Sequence, residues 1–398
     1  MKLNYHTRMR LKLPHRMLTL LTLTLVSTAA ADVIRVASIS PLSGERAVLG
    51  TEVRRGAEMA VQARVSEFRE RGHVLSFFAL DDLSNPTRAG FVAQKLKADP
   101  RILGVVGPQS SGVANAFAEA IQGSPVAVVN PTATNDALTS HNWGFFNRLV
   151  APDRAQAVAA TDYIVNTLKA QVVYVISDES TYGNGLSKTV ISQLKGMNGV
   201  RVGGYMGASK DAQFGNVISE INRAKADVVY YAGADVQGAL MLKAIRAAGI
   251  KAPFVGGDGL YSTAFTDAAG KDGVGVVFTS TFAPPAQLRA ASEFVRQYKS
   301  KYKSEPNGRA LYAYDAMNVL LDAILVNLKR GAPAPTREQV IKAVRAYSSK
   351  SCDANCPIIT GPVAFNSAGE RQSANVYLLR VGASATELLD ERKVSAEK

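Results

Sequence analysis

The side chains able to do chemistry are few, and they sit in short polar segments that follow apolar ones. Asp153 stands in Ala151-Pro152-Asp153 and Asp258 in Gly256-Gly257-Asp258-Gly259. Two carboxylates that meet at a cleft act either as an acid/base pair or as a clamp on a cation. Taken singly, each reads as a solvated loop acid or a helix cap. Ser110 and Ser111 lie in Gly107-Pro108-Gln109-Ser110-Ser111-Gly112, directly before a helical stretch. A helix start offers unpaired N–H groups and a partial positive charge, and a serine adds a hydroxyl, so the segment suits a carboxylate. On its own it reads better as a plain N-cap. Asn130-Pro131-Thr132-Ala133-Thr134-Asn135 presents carbonyls and threonine hydroxyls that accept from an ammonium.

Composition removes most other chemistry. Residues 1–16 carry Lys2, Arg8, Arg10, Lys12 and Arg16 without an acid, Met17 to Val26 is apolar, and Ala29-Ala30-Ala31 precedes Asp32. That order predicts a secretory signal peptide over 1–31 and an exported mature chain. The apolar run falls well short of the ~20 residues of a spanning helix, and no cysteine follows it to take a lipid. Of the four histidines, His73 and His141 alone lie beyond the leader, far apart, so neither a triad nor a zinc site has material to build from. Cys352 and Cys356, the only cysteines, are expected to close a small disulfide loop in an oxidising compartment. The net charge of +13 includes five leader positives. The mature part has no basic block interleaved with aromatics, which argues against nucleic acid as a partner. Walker, dinucleotide, nucleophile-elbow and His-Glu-x-x-His patterns are absent. No cofactor and no metal are expected.

The elements that must position these residues alternate β then α. Strands are read at Val33–Ser38, Val74–Leu80, Ile102–Val106 and Val126–Val129, with helices over 51–71, 86–97 and 111–122 between them. Near Ala151-Pro152-Asp153 the cycle restarts: a helix over 154–168, then strands at 172–176, 200–206, 227–232, 254–256 and 275–279, with helices over 185–196, 211–224 and 237–248. Helices over 287–303, 310–330 and 336–346 follow, then short strands at Pro362–Phe365 and Asn375–Val381. Such alternation predicts an α/β fold of parallel sheets flanked by helices, and the length beyond the leader predicts two lobes. Polar segments after the strands are where open α/β sheets place their ligands.

In order and spacing, several of these segments resemble the periplasmic branched-chain amino acid (leucine/isoleucine/valine) binding proteins of ABC importers. They are Pro41-Leu42-Ser43-Gly44, Gly107 to Gly112, Asn130 to Asn135, Ser180-Thr181-Tyr182-Gly183-Asn184-Gly185, Val229-Tyr230-Tyr231-Ala232-Gly233, Gly256 to Gly259 and Tyr312-Ala313-Tyr314-Asp315-Ala316. The resemblance implies two Rossmann-like lobes joined by three crossovers and closing about a hinge, with 32–152 plus 282–372 as the first lobe and 153–281 plus 373–398 as the second. It further implies Ser111 at the ligand carboxylate, Ala133 (through its backbone) and Thr134 at the head group, Asp153 and Asp258 at the ammonium, and Tyr182 in the cleft. Leu49, Ala234 and Leu311 stand where leucine-binding members are aromatic, and Asp235 adds a charge, so the side-chain pocket departs from theirs. The cysteine pair departs as well.

A binding component that captures an amino acid or amino-acid-like molecule and passes it to a membrane permease, as a monomer and without catalysis, is the reading adopted. An amide or small-ligand sensor of the same fold is the second. A secreted enzyme using Asp153 and Asp258 as acid and base is the third, disfavoured by the lack of a nucleophile, histidine or metal motif.

Overall fold

The computed structural model describes residues 1, 32–349 and 357–396. The expected signal peptide and the Cys352/Cys356 pair lie outside the described residues. The first sheet is parallel throughout and ordered β2-β1-β3-β4-β5, with β1 Val33–Ser40, β2 Val74–Asp81, β3 Ile102–Val106, β4 Ala127–Asn130 and β5 Phe146–Arg148. Its helices are α1 (Ala47–Glu70), α2 (Ala89–Lys97), α3 (Ser111–Ile121) and the short α4 (Ala137–Ser140). β3 and β4 are buried at every position. Unbroken apolar runs of this kind are what a sheet covered on both faces demands.

After β5 the chain crosses to the second sheet through α5 (Asp153–Asp162), which continues into a π-helical turn at Tyr163–Thr167. Strands β6 (Val172–Ser177), β7 (Arg201–Gly207), β8 (Val228–Ala232), β9 (Phe254–Gly256) and β10 (Val277–Ser280) are parallel. Between them run α6 (Thr181–Lys195), α7 (Phe214–Ala224), α8 (Asp235–Ala247) and α9 (Thr263–Ala269). A second passage leads to α10 (Ser292–Tyr302), α11 (Gly308–Leu325) and α12 (Arg337–Arg345). The third leads back to β11 (Ser373–Val381) and β12 (Thr386–Ser395), an antiparallel pair that completes the order β12-β11-β10-β9-β8-β6-β7. α11 is buried almost all round between α1 and the first sheet and supplies Leu311, Leu320 and Ile324 to that core.

Several elements differ from expectation for local reasons. α6 begins at Thr181 rather than Gly185, because Ser180 takes the N-cap and its hydroxyl accepts from Gly183 N at 2.9 Å. Pro362–Phe365 is no strand; Ala364 and Phe365 make isolated bridges to Ser348 and Arg371. β5, α4, α9 and β12 were not foreseen. β12 is an edge strand that carries four charges in a row, Asp390 to Lys393, and lacks the apolar density that marks a central strand. No helix among the described residues is long and apolar enough to cross a membrane.

Candidate functional site

A cleft opens where loops at the strand C-termini of both sheets converge. It encloses about 460 Å³ of empty space, part of it open to solvent. Of the residues singled out in the sequence, Leu49, Ser111, Ala133, Thr134, Tyr182, Ala234, Asp235 and Asp258 line it. Leu311 does not: it lies wholly buried in the core of the first sheet, on a turn of α11 that faces α1. Asp153 is fully buried behind the cavity wall.

The helix-start side is built by two loops. Gly107 has φ +115°, and a Cβ there would meet Ile39 O at 2.1 Å, so only glycine lets the chain leave β3 in this direction. Ser110 then takes the N-cap position of α3 without its hydroxyl capping the helix, and Ser111 is the first helical residue. Both serines line the cavity at a helix N-terminus. Ser111 Oγ also accepts from Asn135 N at 3.4 Å. Asn130 fixes the neighbouring loop. Its Oδ1 accepts from Thr132 N and Ala133 N at 3.0 and 2.7 Å, and its Nδ2 donates to Pro108 O at 2.8 Å.

The acidic side is organised by a residue the sequence reading passed over. Gln156 Nε2 donates to Asp153 Oδ1 at 3.3 Å and to Asp258 Oδ1 at 2.8 Å, while its Oε1 accepts from Asp258 N at 3.2 Å and Thr279 Oγ1 at 2.9 Å. Tyr182 OH donates to Asp258 Oδ1 at 2.8 Å and accepts from Gly259 N at 3.0 Å. Asp153 Oδ2 has no hydrogen-bond partner among the described residues. Burial pushes the Asp153 carboxyl well above its ordinary value, and the nearby Asp258 charge adds to this. Burial raises Asp258 too, opposed by the Arg309 charge and the bonds from Gln156 and Tyr182. Two buried carboxylates raised in this way are stabilised by a cation placed between them.

Four further residues on the wall, Arg46, Gln109, Phe282 and Arg309, lie outside the set singled out in the sequence. Arg309 is 3% exposed, donates to Tyr261 O at 2.7 Å and Asp258 O at 3.2 Å, and lies over the Phe282 ring. A signal for it existed, since an arginine opening an otherwise apolar helix is anomalous. For Gln156 the signal was its place one turn after Asp153 on the same helix face. Arg46 and Gln109 carried none. Among the described residues, no group of three or more His, Cys, Asp or Glu side chains can hold a metal ion.

Comparison with known proteins agrees with this architecture. A family model described as periplasmic binding protein matches residues 33–386. The Leu/Ile/Val-binding protein homolog 1 of Brucella abortus is 29% identical over 321 residues, covering 80% of this chain and 83% of that protein. The Leu/Ile/Val/Thr-binding protein of Salmonella typhimurium is 29% identical over 303 residues, covering 75% and 82%. Among solved structures, a leucine-binding protein from Thermotoga maritima superposes with a TM-score of 0.78 at 24% identity, over 90% of this chain and 98% of that one. A solute-binding protein from R. palustris in complex with benzoate gives 0.76 at 21% identity, over 92% and 98%.

Proposed function

This chain belongs to the periplasmic binding protein family, and on that footing we propose that its cleft captures an amino acid by the two charges of its head group. The chain is a solute-binding component of an ABC importer and not an enzyme. The α-carboxylate is received by Ser111, Thr134 and the N–H groups at the start of α3. The ammonium is drawn by Asp258 on the wall and by the charge of Asp153 directly behind it, with Ala133 contributing its backbone and Tyr182 holding Asp258 in place. The observation that carries this reading is the pair of buried carboxylates bridged by Gln156, one oxygen of which is unpartnered. A buried charge is tolerated only when matched, and an ammonium matches this one. The ligand spans both sheets, so it favours the closed form by its difference in affinity between closed and open states. Delivery to a membrane permease follows from the importer role, with the rims of both lobes as the contacting surface.

Titration calorimetry across the common amino acids tests the assignment. Ser111→Ala and Asp153→Asn are expected each to weaken the bound amino acid by ~1–3 kcal/mol, since each leaves a buried charge short of a partner. Unchanged affinity in both variants removes the assignment.

A further inference from the structure

The head group does not use every polar group on the cavity wall. Gln109 is 8% exposed, lines the cavity, and its side-chain oxygen has no partner among the described residues. Arg46 lines the same cavity, and its guanidinium makes a 3.9 Å ion pair with Asp178, too long for a hydrogen bond. A buried acceptor without a donor, beside a cation with donors to spare, indicates a ligand group that supplies both.

Charge decides which group. Asp178 is held by Ser180 and by Ala234 N, and it stands opposite Arg46. Arg309 is faced by Asp258 and Asp235, and Asp235 is itself fixed by Ser262 Oγ at 2.6 Å and Val236 N at 3.0 Å. Each cation on the wall thus has a carboxylate of the protein opposite it. A second carboxylate on the ligand would enter a place already balanced, and a branched aliphatic chain would leave the buried Gln109 oxygen without a donor and give the partly exposed Arg46 nothing to donate to. We infer that the bound amino acid carries a side-chain carboxamide, its carbonyl accepting from Arg46 and its NH2 donating to Gln109. This rests on the head-group reading above and adds the class of side chain.

The test is calorimetry of the mature protein with L-glutamine, L-asparagine, L-glutamate and L-leucine, on the wild type, Gln109→Leu and Arg46→Ala, each checked for a wild-type melting transition. One of the two amides is expected to bind at least tenfold tighter than leucine and than glutamate. Gln109→Leu is expected to cut that preference over leucine to below threefold without weakening leucine itself, and Arg46→Ala to cut it in the same direction. Leucine or glutamate binding tightest overturns the inference and leaves the head-group site standing. So does a uniform loss across all four ligands in Arg46→Ala and Gln109→Leu, which would move both residues to the α-carboxylate. Failure of all four to bind overturns the head-group reading and this one with it.

Discussion

Gln156 spends both ends of its amide on the acidic side of the cleft, so Asp153 and Asp258 are fixed before a ligand arrives. Such preorganisation lowers the ordering cost of binding. It also makes binding proton-linked. An ammonium favours the ionised pair, while burial in the free protein raises both carboxyls. Capture is therefore expected to release protons, and affinity to fall as pH drops through the raised Asp153 value. Calorimetry in two buffers of different ionisation enthalpy reads this directly, and equal heats in both refute it; in Asp153→Asn the difference should shrink. Unliganded stability moves the other way. The native carboxyl keeps its proton where the unfolded one has lost it, so the contribution is full below the ordinary 3.8 and is lost as pH rises through the folded value. Both carboxylates were legible in the sequence as loop acids beside strand ends. Their coupling was not: Gln156 stands one turn after Asp153, but that it also holds Asp258, 102 residues away, emerges only once the two are placed side by side.

Among the elements, β5 matters beyond its three residues because it ends in Arg148. That guanidinium is fully buried. Its Nη1 donates to Thr134 O at 2.9 Å and Asn135 O at 2.7 Å, and its Nη2 to Thr139 Oγ1 and Glu370 Oε1. The loop bearing Thr134 is thus held by one cation, and Glu370 neutralises it together with Arg154. Arg148→Met is expected to destabilise the protein by about 1–3 kcal/mol, because it removes one of the two cations on the buried Glu370 and one of the two donors on each of the Thr134 and Asn135 carbonyls, and to weaken ligand binding as the loop loosens. Urea denaturation checks it; an unchanged midpoint shows that the loop is held elsewhere. Burial works to raise Glu370, yet hydrogen bonds from Arg154 and the Arg148 charge prevail and hold it at about 2. Its contribution is present above 4.5 and is lost as pH falls toward that value, so Glu370→Gln should flatten the acid limb of the stability profile. The alternation of elements was legible because the central strands are unbroken apolar runs. β5 and β12 escaped, the first being too short for any periodicity and the second a charged edge.

At the scale of the whole molecule, the two sheets meet across the cleft through few contacts, and each is a handle on closure. Asn135 Nδ2, from the loop after β4, donates to Thr181 O at the start of α6 at 3.0 Å. Arg309, from α11, donates to carbonyls of Tyr261 and Asp258 beyond β9. The two-sheet plan could be read from the sequence, but which residues touch when it closes could not, since that depends on the relative placement of two bodies rather than on any local pattern. Gly185 marks a close approach: a Cβ there would lie 2.2 Å from Asn135 Nδ2. The Asn135 amide is not free to step aside without cost, because its Oδ1 accepts from Ala137 N at 3.0 Å. Yet Gly185 is an ordinary position within α6, where alanine is the better helix former by about 1 kcal/mol. Gly185→Ala therefore has effects of opposite sign in the two states. The open form keeps the helical gain and should melt no lower than wild type without ligand. The closed form loses the Asn135–Thr181 bond, worth ~1 kcal/mol, and ligand affinity should fall several-fold, because apparent affinity scales with the population of the closing-competent state. Small-angle scattering with saturating ligand should show a smaller compaction than in the wild type. Undiminished affinity and full compaction would mean that closure does not bring Asn135 onto α6 and that the latch lies elsewhere, with Arg309 the next contact to remove.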